Sequence, residues 1–133
     1  MRVQVWRADF SEWEAALRSW AEELIAAHPE VLIAVLFGSL ARGEATAWSD
    51  ADVLLLLRDS SEPFKDRVIR YAPVRMAFPV EVFAYTIGEA EVFLKQRWGF
   101  FPSVLVEGKV LATSPEGELW WKEKQVLMGV QEG

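Results

Sequence analysis

The sequence predicts an α/β fold, a mixed β-sheet flanked by helices, and three observations predict it. Residues 31–37 and 53–57 are unbroken apolar runs, filled on both parities as strands covered on both faces are. Residues 80–86 alternate with the period of two that marks a strand. Around these runs, apolar residues recur at spacings of three and four, the mark of amphipathic helices. With 133 residues, 52% of them hydrophobic, the chain is read as a single domain, 1–133. That length hides roughly two-thirds of the unfolded surface.

The elements follow in order. A short strand is expected over residues 2–6, then a capping box with Asp9 as N-cap and Glu12 at the third helical position. Trp13, Leu17, Trp20 and Leu24 form one helical face that ends near His28-Pro29. Two buried strands come next, joined by the polar segment that begins at Gly38-Ser39. Ser61 is positioned to cap a helix carrying Phe64, Val68 and Tyr71, and Pro73 and Pro79 bracket a loop before the third strand. Thr86-Ile87-Gly88-Glu89 is a second capping box, opening a helix through about Trp98. Residues 99–114 fit either a helix end or a strand pair. Ser114-Pro115 opens the last helix, with Leu119, Trp120, Val126 and Leu127 as its apolar residues. Trp120 and Trp121 diverge by about 100° on a helix, so one of them is expected at the surface as a partner contact.

Composition removes several functions. Twenty acidic residues against fourteen basic ones, a net charge of −6, oppose strong nucleic-acid binding, which needs clustered Lys and Arg. The absence of cysteine excludes disulfides and thiolate metal sites. The longest apolar run has seven residues, whereas a membrane helix needs about 20. The first ten residues lack a signal-peptide core, so a cytoplasmic protein without membrane association is expected.

Chemistry concentrates between the first two apolar runs. Asp50 and Asp52, two apart at the mouth of a strand, point to one face and can converge on a hard divalent cation. Unpaired, they would repel each other and lose solvation, so the arrangement calls for a compensating cation. Gly38 permits close backbone approach, Ser39 adds a hydroxyl, and a helical turn at residues 40–45 would offer free N–H groups to an anion. Such a pairing suits a nucleoside triphosphate with Mg²⁺. Arg42 is read equally as a phosphate contact or as part of a solvated face. Trp48 is read as packing on the core rather than stacking on a base, and His28 as a surface residue at a helix end.

Gly38-Ser39, ten intervening residues and Asp50-Ala51-Asp52, between two apolar strands, resemble the signature of the DNA polymerase β-type nucleotidyltransferase superfamily. The stretch "GSLARGEATAWSDADVLLLL" is similar to the minimal nucleotidyltransferases, proteins reduced to the core domain. The resemblance implies the nucleotidyltransferase core fold. It implies that Gly38 and Ser39 hold the triphosphate, beside Arg42 as the nucleotide-binding candidate named above, and that Asp50 and Asp52 bind Mg²⁺. It also expects a third acid on a later strand, which here is Glu81 rather than the more usual Asp, serving as metal ligand or base. The implied reaction is in-line attack of an acceptor hydroxyl on the α-phosphate of ATP or another nucleoside triphosphate, with pyrophosphate leaving. The implied setting is a toxin–antitoxin pair in which the protein AMPylates a helical HEPN-type partner encoded nearby, in a homo- or hetero-oligomer. Two alternatives stand beside it: an antitoxin that neutralises its partner by contact alone, and, less favoured because no second domain holds a substrate, an aminoglycoside-type enzyme modifying a small molecule.

Overall fold

The computed structural model describes residues 10–44, 50–97 and 99–129. Among them the elements run α1 (Ser11–Ala27), β1 (Val31–Phe37), β2 (Ala51–Leu57), α2 (Phe64–Tyr71), β3 (Val80–Thr86), α3 (Ile87–Gln96), α4 (Phe101–Glu107), β4 (Lys109–Thr113) and α5 (Pro115–Leu127). The expected strand over residues 2–6, Asp9 and Trp48 lie outside the described residues. The four strands form one sheet in the order β3-β2-β1-β4. Strand β1 is antiparallel to both β2 and β4, and β2 is parallel to β3, so the sheet is mixed as the sequence predicts. A parallel neighbour needs a crossover, and α2 lies in the β2–β3 connection.

Alternation along β1 and β2 divides the core. Val31, Val53, Leu55 and Leu57 pack with Leu17, Ala21 and Leu24 of α1 and Tyr71 of α2. Ile33, Val35, Leu54 and Leu56 pack with Ala90 and Leu94 of α3, Phe101, Val104 and Leu105 of α4, and Trp121 of α5. Residues 31–36 and 53–57 are all buried, which is why both parities had to be apolar. Helix α5 comes so close to β1 that a Cβ on Gly117 would strike the Leu32 carbonyl.

Several local expectations need correction. Helix α1 has Phe10 at its N-cap and no side-chain cap, so the box built on Asp9 and Glu12 does not open it from there. Helix α2 starts after Pro63, again without a side-chain cap; Ser60, not Ser61, turns the chain by accepting from the Glu62 N–H at 3.2 Å. Helix α3 stops at Gln96 because Arg97 takes a left-handed backbone, φ 49°, ahead of Trp98. The ambiguous residues 99–114 resolve into helix α4 and strand β4 rather than two strands. In α5, Leu119, Val126 and Leu127 are exposed, whereas Gly117 and Trp121 face the core. Trp120 is not the exposed tryptophan expected: it is half-buried, donates to Glu91 Oε1 at 3.3 Å and lies under the Lys124 ammonium. The two other caps stand as read: Thr86 and Glu89 form a reciprocal box, and Ser114 Oγ accepts from the Gly117 N–H at 3.1 Å. No helix among the described residues is long and apolar enough to cross a membrane.

Candidate active site

The end of β1 and the beginnings of β2 and β3 meet at one end of the sheet. Register pairs Phe37 with Asp52 across β1 and β2, and Asp52 with Glu81 across β2 and β3. Directly paired residues point to the same face, so Phe37, Asp52 and Glu81 form a row across three neighbouring strands. Inward along the same face come Leu54 and Leu56, Phe83 and Tyr85, the apolar core under α3, α4 and α5. The row is therefore where a buried face runs out and carboxylates begin. Behind it, Phe37 stacks on Phe100 at 5.0 Å between ring centres, with Phe83 edge-on to both. Asp50 stands one residue before β2, exposed; Glu81 is also exposed, and Asp52 is half-buried.

Gly38 follows β1 with φ +77°, a left-handed backbone that L side chains rarely adopt. A Cβ there would collide with the Asp52 carboxylate and sit 3.3 Å from its Cγ. Glycine is thus required twice over, for the turn and for space beside the acid. The segment after it is a turn rather than the helix that the anion-cradle expectation used. Arg42 N–H donates to the Gly38 carbonyl at 3.1 Å and Glu44 N–H to the Ser39 carbonyl at 3.0 Å, and no α-helix forms among the described residues 39–44. Among the described residues of this segment no helix dipole contributes; what they offer are the backbone of Gly38 and half-buried Ser39, and the cation of Arg42.

Arg42 is exposed and engaged on two sides. Its Nε donates to Glu44 Oε2 at 3.1 Å and its Nη1 to Glu107 Oε2, at the end of α4, at 3.5 Å. These partners, the Glu44 hydrogen bond foremost, raise the guanidinium above its ordinary value. Phe37, Gly38, Arg42, Phe100, Ser103 and Glu107 line an open depression of about 360 Å³. Sequence reasoning did not find Phe100, Ser103 or Glu107, because only the packing of α4 against β1 brings them there.

The electrostatics of Asp52 set it apart. Burial raises its carboxyl above the usual range, and the charges of Glu81 and then Asp50 raise it further; the Arg42 charge opposes them. The three acids named from the sequence thus act on one another at one sheet end. Among the described residues, no three acidic, histidine or cysteine side chains are gathered tightly enough, as they are turned, to hold a metal ion. His28 lies at the opposite end of β1, its ring edge-on to Tyr71 at 5.5 Å.

Comparison with solved structures returns the same architecture. A Sulfolobus solfataricus protein provisionally called a nucleotidyltransferase superposes with a TM-score of 0.53 at 20% identity, over 80% of this chain and 88% of the other. A toxin–antitoxin structure with AMP-PNP gives 0.54 at 20% identity, covering 84% and 86%. A tri-AMPylated Shewanella oneidensis HEPN toxin in complex with its MNT antitoxin gives 0.51 at 18% identity, covering 87% and 86%. No curated protein matches the chain. At these identities the likeness is one of fold, and it is the fold that Gly38-Ser39 and Asp50-Ala51-Asp52 led us to expect. The family described as "Nucleotidyltransferase domain" matches residues 17–100, which hold the whole carboxylate row and the glycine turn, and the chain belongs to that family.

Proposed function

We propose that the protein is a Mg²⁺-dependent nucleotidyltransferase that moves AMP from ATP to a hydroxyl of a HEPN-type helical partner, as an antitoxin. The observation that carries this reading is Asp52, set against the Gly38 turn on one side and paired with Glu81 on the other, with the Asp50 charge also acting on it. Donor and acceptor are proposed from the neighbours, one holding AMP-PNP and one a tri-AMPylated HEPN toxin with its MNT antitoxin.

The donor set fits the ion. Carboxylate oxygens suit a hard cation, and Asp52 is held in a state that a nearby positive charge would relieve. Asp50, Asp52 and Glu81 would hold it. When bound, Mg²⁺ offsets charge developing on the phosphoryl oxygens. The protein's own groups do the rest. Gly38 lets the backbone approach the triphosphate, Ser39 and Arg42 donate to its oxygens, and the Phe37–Phe100 wall keeps water from one side. A bond forms between the acceptor oxygen and the α-phosphorus while the α–β bridging bond breaks and pyrophosphate leaves. Glu81 takes the hydroxyl proton.

The test is incubation with α-labelled ATP, Mg²⁺ and the product of the adjacent gene. Label on the partner that vanishes with Asp50→Asn and with Asp52→Asn supports the enzyme. A stable complex with no label supports neutralisation by contact. That second reading draws on two observations: Glu81 stands where the family more often has Asp, and the three acids are not gathered as they are turned.

A further inference from the structure

Glu107 occupies a position that helix stability does not explain. It is the last residue of α4, where the carbonyl end of the helix disfavours a negative charge, and α4 has no basic residue in its last turn. Its described charge partner is Arg42, 65 residues earlier, reached across the depression that opens beside Gly38. The two side chains are 41% and 44% exposed, so the pair is held open to solvent rather than sealed in the core.

Resting on the nucleotidyltransferase reading above, we infer that Glu107 is a positioning residue that competes with bound polyphosphate for the Arg42 guanidinium. A guanidinium presents five donors in a planar fork, and phosphate oxygens accept from it as carboxylates do. Glu44 holds Nε from within the same turn and moves with it. Glu107 holds Nη1 from a different element, so the pair ties the turn to α4. An exposed ion pair of this kind is weak, which makes exchange easy. Triphosphate arriving at Gly38 and Ser39 takes Nη1 from Glu107, and the link between the turn and the end of α4 opens. Glu107 therefore lowers nucleotide affinity and couples its arrival to α4.

The experiment is a calorimetric titration of the purified chain with inorganic triphosphate and with ATP, each with Mg²⁺. It covers wild type, Glu107→Gln, Glu107→Asp, Arg42→Ala and the double variant Arg42→Ala/Glu107→Gln. Losing the competitor should tighten binding by about two- to fivefold, the worth of an exposed pair. Glu107→Asp keeps the charge but not the reach, and should tighten binding as Glu107→Gln does. In the Arg42→Ala background the Glu107→Gln effect should disappear. Equal tightening with and without Arg42, or an Asp variant that behaves as wild type, would mean a general charge effect and overturn the inference. Unchanged or weaker binding by Glu107→Gln overturns it as well. A wild-type chain that binds neither ligand overturns the nucleotidyltransferase reading, and the inference with it. Wild-type binding with no Arg42–Glu107 coupling overturns the inference alone.

Discussion

Two carboxylates at opposite ends of the β2–β3 pair receive opposite treatment. At the far end, Glu89 accepts from the Thr86 N–H at 2.8 Å and from Arg67 Nη1 at 2.6 Å. Burial pushes its carboxyl up, but the Arg67 and Thr86 hydrogen bonds and the Arg67 charge outweigh that and hold it below the usual range. At the near end, no hydrogen bond from a described residue reaches Asp52; it faces Glu81 and Asp50, and its carboxyl is raised. One end spends its acid on capping α3 and neutralising buried Arg67. The other keeps acids in mutual repulsion, an arrangement that costs stability and makes sense where a ligand supplies the missing charge.

The most severe way to break this contrast is Asp52→Asn. On the proposed mechanism it lowers transfer to the partner on the order of a thousandfold, the scale of several kcal/mol at the transition state. The same variant should melt higher than wild type at pH 7 in a thermal scan. Activity lost together with stability would mean that Asp52 supports the fold, not that it trades stability for a bound ion. Gly38→Ala comes next. Its left-handed φ costs about 1–2 kcal/mol with a Cβ present, and displacing Asp52 should cut transfer on the order of a hundredfold.

At the other end, Glu89→Gln leaves Arg67, whose side chain is 8% exposed, without its anion. Urea titration should show a loss of about 1–3 kcal/mol, with transfer activity retained in the folded fraction. Acid separates the two ends by sign. For Glu89 the folded value lies below the ordinary 4.5, so its stabilisation is complete above that pH and is lost as pH falls through the depressed value. For Asp52 the folded value lies above 3.8, so stability falls as pH rises through the window between, and the penalty is full at neutral pH. Melting curves from pH 3 to 7 should accordingly show Asp52→Asn gaining on wild type as pH rises, while Glu89→Gln falls behind. The smallest effect is from the ion: millimolar Mg²⁺ should raise the wild-type melting temperature at pH 7 by a few degrees and leave Asp52→Asn unmoved.

Much of this was written locally. Strand β1 and strand β3 fall on the residues their apolar patterns marked, and the Thr86–Glu89 box forms as read. Strand β2 begins at Ala51, two residues earlier than its apolar run, because its parallel pairing with β3 already starts with Ala51 opposite Val80. Helix α5 departs from its apolar pattern for a physical reason. Its contact with β1 runs through Gly117 and Trp121, four apart, and glycine carries no hydrophobic signal although close approach depends on it. The apolar residues Leu119, Val126 and Leu127 point to a face that the fold leaves exposed.

By itself the sequence determined the chemistry available: a glycine turn after one strand, paired acids at the mouth of the next, and a third acid at the start of a later one. These are short-range facts, fixed by chain spacing and by the period of a strand. Tertiary structure decided which groups meet. The parallel register that sets Glu81 against Asp52, the α4 packing that carries Glu107 to Arg42, and the burial that raises Asp52 all depend on contacts between distant segments. Charge interactions act through space, and no spacing along the chain encodes their distance.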